Sequence, residues 1–490
     1  MGNFDYDIGI IGGGAAGLTV TSGAAQLGAK TLLVEKEPVL GGDCLHFGCV
    51  PSKTLIKSAH VYHLLKNPTR FGLPAVEVPP VDFKAVAARI KSVIDVIQVH
   101  DSEERFCDLG AKVAFGDPHF TDEHTISLDG KSISAAKWVI STGSSPVAPP
   151  IAGLDTTAHL TNREIFYLDH LPKSMIVLGA GPIGCEMGQA FNRLGCEVHI
   201  VDRAGQILVK EDKDMADQVQ DVMAAEGVNF HLNVAIEQVQ DIGNKKQVTL
   251  KTEAGQTKKL TAETILVAMG RGANTAGLGL DKIGVDYDGR GISVDERLRT
   301  SQKHIFAAGD VNGGFQFTHA AGYEGGIVIS NAIFRLPRKT NFTFLPWCTF
   351  TDPPLGSIGM NEAMAKSAGI NYRVISEAFK DNDRSLAEGH EIGLIKLLLN
   401  EKEKPIGVQI LGPNAGDLLS TWAAVLNGGV KLTTLASAMH PYPTIGEINK
   451  RVAGTFLSPK IFSDKVKKGL KLFFNLKGRA CSLDDEMEET

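Results

Sequence analysis

Cysteine is scarce in this chain: seven among 490 residues, at 44, 49, 107, 185, 196, 348 and 481, odd in number and without regular spacing. A secreted framework stapled by disulfides needs a dense, paired set, so that class is excluded. No hydrophobic run is long enough to cross a bilayer. No basic leader precedes an apolar segment either, since Met1 runs almost directly into Asp5-Tyr6-Asp7-Ile8-Gly9-Ile10-Ile11; a cytoplasmic location is the expectation. Positive charge is not in surplus. With a formal net charge of −6 there is no phosphate-neutralising surface, and nucleic acid is not an expected partner. At 43% hydrophobic and 22% charged, the composition is that of a globular chain with the length for about three domains.

Against these absences stands a duplicated glycine pattern. Ile8 to Ile11 is apolar, Gly12-Gly13-Gly14-Ala15-Ala16-Gly17 follows, Leu18 to Leu27 reads as helix and Thr31 to Glu35 as a second strand. Gly12 serves a tight turn, Gly14 lets the backbone approach a pyrophosphate, and Gly17 permits close packing of helix on strand, with phosphate at the helix N-terminus. Glu35, ending the second strand, is placed for ribose hydroxyls, which separates an adenine-dinucleotide site from an ordinary glycine turn. The unit recurs as Met175 to Leu178, Gly179-Ala180-Gly181-Pro182-Ile183-Gly184, a helix from Cys185 to Leu194 and a strand from Val198 to Asp202. Two copies imply two dinucleotides and a redox path between them. Asp202 favours NADH, because a carboxylate there repels a 2′-phosphate; Arg203 beside it keeps NADPH open.

Two further strands, Trp138 to Ser141 and Thr264 to Ala268, end in small-residue turns. Thr142 and Gly143 in the first, and Gly270 in the second, either admit a nucleotide against the backbone or mark a domain exit; Pro146, Pro149 and Pro150 suggest a linker. The chain then returns through Ile305 to Ala308 and stops at Gly309-Asp310, where Asp310 is a candidate for flavin ribitol hydroxyls or simply the polar end of a short strand. From Asn341 to Glu447 strands with intervening helices read as a separate α+β domain. It closes on the proline-fixed loop His440-Pro441-Tyr442-Pro443-Thr444-Ile445-Gly446-Glu447.

The chemistry concentrates at Gly41-Gly42-Asp43-Cys44-Leu45-His46-Phe47-Gly48-Cys49-Val50-Pro51-Ser52-Lys53. A helix opening at Val50 puts Cys49 near an N-terminus, where unpaired N–H groups and the dipole favour a thiolate. Cys44 is expected in the preceding loop or first turn, more exposed. A redox disulfide fits; inert thiols or half of a metal site fit the spacing alone as well. Glu186 either stabilises the start of its helix or meets Lys53 near the cofactors.

Taken in order, the two glycine motifs with Glu35, the Cys44-to-Lys53 segment, Ala308-Gly309-Asp310 and the His440-to-Glu447 loop carry a resemblance. From about residue 5 to 455 the chain resembles the FAD-dependent pyridine nucleotide–disulfide oxidoreductases, the family of dihydrolipoamide dehydrogenase, glutathione reductase and mercuric reductase. The resemblance implies an α/β fold of two Rossmann-like dinucleotide-binding domains plus a C-terminal α+β dimerisation domain. Its parts are expected at 1–153 and 275–342 (FAD-binding), 154–274 (NAD(P)-binding), 343–454 (dimerisation) and 455–490 (an additional tail). It implies FAD with NADH or NADPH, no resident metal, and a homodimer in which the last domain of each subunit completes the other's active site. Electrons are expected to pass from nicotinamide through flavin to a Cys44–Cys49 disulfide, Cys49 against the flavin and Cys44 meeting substrate. Lys53 and Glu186 match the pair near flavin and nicotinamide.

The departures matter as much. Disulfide reductases of this family carry a histidine five residues before the glutamate of the last loop, as proton donor and acceptor for the thiols. Here that position is Tyr442, and His440 falls upstream of it. Tyrosine, with an ordinary pKa near 10, shuttles protons poorly at neutral pH, and mercuric reductases carry a tyrosine there. Three acceptors stay open: a soft metal ion such as Hg(II), a small disulfide, and a quinone taken directly from the flavin. Unlike mercuric reductases, the chain has Cys481 alone where they have an adjacent terminal pair. His46 and Cys348 are extra ligand-type residues, read as a loop histidine and a core thiol. Residues 460–477 form a basic amphipathic stretch, with Phe462, Val466, Leu470, Phe473 and Phe474 on one face, ringed by Lys460, Lys465, Lys467, Lys468 and Lys471, before acidic Asp484 to Glu489. It reads either as packing on the dimer or as peripheral membrane contact. The rival from another class is a membrane-surface, redox-coupled binding protein with slow turnover.

Overall fold

The structure, a computed structural model, describes residues 4–478 and 480, in two compact units divided between Asp352 and Pro353. Cys481 and the acidic segment from Asp484 lie outside the described residues.

Two parallel sheets build the first unit. One runs in the order Ile305–Ala307, Trp138–Ile140, Ile8–Ile11, Thr31–Glu35, Ala111–Phe115. Its strands are short continuous apolar runs, as sheets covered on both faces require, and every residue of Ile8–Ile11 and Thr31–Glu35 is buried. The other runs Asn229–His231, Glu197–Val201, Ser174–Leu178, Thr264–Val267. An antiparallel sheet of Val234–Ile242, Lys245–Thr252 and Thr257–Ala262, absent from the sequence reading, packs Val239, Val248, Leu250 and Leu260 against Ile176, Leu178 and Val201.

Both glycine-motif helices start about three residues earlier than expected, at Ala15–Gln26 and Pro182–Leu194. The reason is local. Gly14 and Gly181 are the extended residues before each helix, so the third glycine of each motif already lies inside its first turn. Helix Cys49–Lys66 is tied to helix Pro182–Leu194 by buried charge. Arg193 donates to Glu226 at 2.8 and 2.5 Å and to Asp352 at 2.7 Å, and Asp352 accepts from His60 at 2.9 Å. Nearly full burial of Arg193 makes this set expensive to break singly.

In the second unit, strands Leu355–Gly359, Pro405–Leu411, Leu394–Asn400 and Tyr372–Ala378 run antiparallel in that order. The helix Glu447–Ile461 buries Ile448, Val452, Ala453 and Phe456. The tail is not one helix, contrary to expectation. Phe462 caps the helix before it, and Ser463 opens a new one, Asp464–Phe474, by accepting from the Val466 N–H. Lys460 is taken up in an ion pair with Glu403 and so leaves the free basic ring. No described helix is long and apolar enough to cross a membrane.

Candidate active site

The two dinucleotide turns are built alike. A Cβ on Gly12 would lie 2.3 Å from the Ser141 carbonyl oxygen, and one on Gly179 2.5 Å from that of Ala268. The chain passes so close at both turns that only glycine fits, and both adopt positive φ. By contrast, Gly14 and Gly181 face open space: the nearest atom to a Cβ on Gly14 is 4.0 Å away, and Gly181 has none within 4 Å. Neither helix behind them has a side-chain cap. Unpaired N–H groups at a helix start, with room left for an incoming group, are what a pyrophosphate needs.

The acidic residues repeat the pattern. Glu35 is buried and accepts from the N–H of Gly13 at 2.6 Å and of Glu37 at 2.8 Å. Asp202 accepts from Ala180 at 2.7 Å and Ala204 at 2.8 Å. Each carboxylate is thereby oriented at its strand end with lone pairs left for ribose hydroxyls; Arg203 beside Asp202 is exposed. The donor set therefore fits a dinucleotide at each turn: Glu35 and Asp202 would hold a ribose and the two helix starts phosphates. Asp310 accepts from the Ser144 hydroxyl at 2.5 Å, and burial pushes its carboxyl above the usual range. Thr142 donates its hydroxyl to the Asn274 carbonyl at 2.7 Å, so it braces the turn at Gly143. Gly143 and Gly270 both have positive φ and open space at the Cβ position.

The cysteine pair sits in two helices, Gly42–His46 and Cys49–Lys66. Cys49 is the first residue of the longer helix, and its expected place at an N-terminus holds. Over the protein's own atoms, Cys44 is half-buried and Cys49 exposed. Positive φ at Gly41 and Gly42 bends the chain into a helical turn of its own, which tucks Cys44 inward. The thiols have opposite tendencies. Cys49 is brought down to about 6, chiefly by the hydrogen bond from Cys44, then by the Thr318 hydroxyl 3.5 Å away and the Lys53 ammonium. Cys44 is pushed up, first by that same bond and then by burial. One thiolate and one thiol result.

Lys53 and Glu186 do meet, at 2.7 Å, with Glu186 buried and also accepting from the Phe350 N–H at 2.8 Å. The Lys53 ammonium lies 4.5 Å from the Phe350 ring centre. His46 points its Nε2 at the Leu40 carbonyl at 2.9 Å, as a loop histidine would.

Several side chains here escaped the sequence reading. Asp43, beside Cys44, pairs with Arg271 at 3.1 Å and accepts from Asn162 at 3.2 Å. Arg271 also donates to the hydroxyl and carbonyl of Ser144, so one guanidinium joins the Cys44 turn to the residue that holds Asp310. The available signal was that Arg271 directly follows the Gly270 turn. In the second unit, Tyr442 donates to Asp383 at 3.0 Å, and that bond with the Asp383 charge raises its phenol above the ordinary value. Glu447 opens its helix. His440 contacts the Ala438 carbonyl instead, at 3.3 Å.

Two dinucleotide turns of this construction, beside a thiol pair with opposed acidities, define a flavoprotein reductase that works through a dithiol. Residues 6–325 match the model of the pyridine nucleotide-disulphide oxidoreductases and residues 345–453 that of their dimerisation domain, and the chain belongs to this family. It is an FAD-dependent oxidoreductase that uses NAD(P)H, and its dimerisation domain supports a homodimer. A mercuric reductase of Bacillus cereus is 33% identical over 93% of this chain and 72% of its own length. A dihydrolipoyl dehydrogenase of Geobacillus stearothermophilus is 34% identical over 92% of this chain and 96% of its own. Among solved structures, the HOCl-induced flavoprotein disulfide reductase RclA of Escherichia coli superposes with a TM-score of 0.82 at 27% identity, over 92% of this chain and 99% of that one. A Cu(II) complex of the same protein covers 91% and 98%, with a TM-score of 0.81 at 27% identity.

Proposed function

We propose that this enzyme takes electrons from NADH and delivers them, through the Cys44–Cys49 pair, to a soft or borderline metal ion, Hg(II) or Cu(II). The observation that carries the reading is Tyr442. A dithiol or disulfide product leaves as a thiolate that must be protonated and deprotonated near neutral pH. Tyr442 holds its proton more tightly than an ordinary tyrosine and is already donating it to Asp383. A metal ion needs no such partner: it binds to sulfur and departs reduced. Relatives named as mercuric reductases and a neighbour described as a Cu(II) complex support this choice.

Bound flavin supplies two-electron exchange between a nicotinamide and a disulfide. The chain's own residues do the rest. Glu35, Asp310 and the start of helix Ala15–Gln26 bind and orient one dinucleotide, Asp202 and the start of helix Pro182–Leu194 the other. Cys49 stays ionised, Cys44 holds the proton between them, and the ion pair of half-buried Lys53 with buried Glu186 keeps a cation fixed on the helix that carries Cys49. The overall balance for mercury is NADH plus Hg(II) giving NAD⁺, Hg(0) and one proton.

NADH oxidation measured with Hg(II) thiolate, Cu(II), lipoamide, glutathione disulfide and a water-soluble quinone tests this. Turnover is expected with a metal ion, lost in both Cys44→Ala and Cys49→Ala. Faster turnover with lipoamide or glutathione disulfide than with either metal would overturn it, and quinone turnover surviving both substitutions would place the chemistry on the flavin alone.

A further inference from the structure

We infer that the helix Asp464–Phe474 docks the enzyme on an anionic lipid surface. No residue of this helix is buried, although it carries Val466, Leu470, Phe473 and Phe474. Phe473 and Phe474 are 80% and 71% exposed, and Phe462, just before the helix, 65%. At 100° per residue Val466, Leu470, Phe473 and Phe474 share one side of this helix, and Lys465, Lys467, Lys468 and Lys471 occupy the other. Lys467 sits 3.6 Å from Asp464. Lys465, Lys468 and Lys471 have no carboxylate partner among the described residues. Leu472 lies among the lysines, the one apolar residue on the wrong side.

Charge selects the occupant. A protein groove for such a helix needs an apolar channel and tolerates a neutral polar face, whereas a bilayer surface rewards cations flanking the apolar side. The chain as a whole is acidic, at −6, so this local excess of lysine runs against the average and points to a negatively charged target. Phenylalanines would enter the boundary between headgroups and acyl chains, while lysine stems reach outward to phosphate oxygens. Each lysine near an anionic leaflet is worth about fivefold in partitioning, so three together are worth on the order of a hundredfold. The attraction should fade as salt shortens the Debye length.

The test is flotation of the full-length holoenzyme with phosphatidylcholine vesicles, with and without phosphatidylglycerol, at low and high salt. Three forms are compared: the native chain, Lys465→Gln/Lys468→Gln/Lys471→Gln, and Phe473→Ser/Phe474→Ser, each checked for unchanged NADH oxidation. The native chain is expected to float only with phosphatidylglycerol present and to be released by salt. The lysine variant should lose on the order of a hundredfold in partitioning, and the phenylalanine variant should float poorly at any salt. Equal recovery of all three forms overturns the inference. A phenylalanine variant that changes the sedimentation of the dimer without lipid, and not flotation, overturns it too and assigns the helix to the protein. Removal of residues 479–490 separates the remaining rival: flotation gained only after removal would make the acidic segment, not lipid, the native occupant.

Discussion

Replacing Cys44 by alanine should convert Cys49 from a thiolate into an ordinary thiol. With Cys49 held at about 6, roughly nine in ten molecules carry the thiolate at pH 7. The hydrogen bond from Cys44 is the largest cause of that lowering. Without it, desolvation and the Glu186 carboxylate oppose Thr318 and Lys53, and the thiol should return toward about 8.5. The thiolate share at pH 7 then falls about thirtyfold. Each remaining thiolate is more basic and, at a Brønsted slope near 0.45, roughly tenfold more reactive, so the alkylation rate at that single pH drops only about threefold. The midpoint of the pH profile is therefore the sensitive readout. Reduced holoenzyme would be treated with iodoacetamide from pH 5 to 9 and the Cys49 peptide followed by mass spectrometry, which separates it from exposed Cys107. Cys44→Ser keeps a donor and should retain a low midpoint. A midpoint still near 6 in Cys44→Ala would refute the reasoning and pass the stabilisation to Lys53 and Thr318.

Three other perturbations follow from the same geometry. Arg193→Met leaves Glu226 and Asp352 without their shared cation in a buried site and should cost about 3–5 kcal/mol; an unchanged urea midpoint of the holoenzyme would contradict it. Glu324, buried and pushed up to about 7 by desolvation, keeps its proton in the folded chain over a range where the unfolded chain has lost it. The folded state therefore binds more protons between about pH 4.5 and 7, and stability should fall with rising pH across that window, by roughly 3 kcal/mol in all. Glu324→Gln should flatten this slope in denaturant titrations and gain on the native chain above pH 7; parallel curves would sink the idea. Asp202→Asn removes the charge facing a 2′-phosphate while keeping an acceptor for the turn, so the ratio of kcat/KM for NADPH over NADH should rise roughly tenfold, about 1.4 kcal/mol; a ratio that does not move would show that Arg203 or the loop sets the choice.

What was legible in the sequence was what is encoded by short spacing. Gly12, Gly14, Gly17 and Glu35 lie within one strand–helix–strand unit, and backbone sterics alone dictate each type. Cys44 and Cys49 are likewise neighbours in the chain. The illegible contacts join residues far apart: Asp43 to Arg271, Cys49 to Thr318, Arg193 to Asp352. Nothing local marks Arg193 as a buried cation, since its partners Glu226 and Asp352 lie 33 and 159 residues away in the chain. The edge strand Tyr372–Ala378 escaped because none of its residues is fully buried, so it lacks the apolar run that betrays its neighbours. The short helix that carries Cys44 escaped because a five-residue helix set by two positive-φ glycines has no periodicity to read.

The chain's return to its first sheet explains why the dinucleotide turn and the thiols can be held in register. Helix Thr318–Ala332 begins with Thr318, whose hydroxyl lies against Cys49. One and a half turns on, Glu324 accepts from the N–H of Gly309 at 2.6 Å and from Asn312 at 2.9 Å, fixing the turn that presents Asp310. The next residue, Gly325, packs so tightly on helix Ala15–Gln26 that a Cβ there would lie 2.9 Å from Thr19 and 3.1 Å from the Ala16 carbonyl oxygen. A single helix thus meets the Cys49 sulfur, the turn that carries Asp310 and the helix Ala15–Gln26. A side chain at Gly325 would push that helix away from all three at once. Gly325→Val should accordingly weaken flavin retention and raise the Cys49 midpoint together, whereas a fault confined to one of them would mean that the three contacts are held independently.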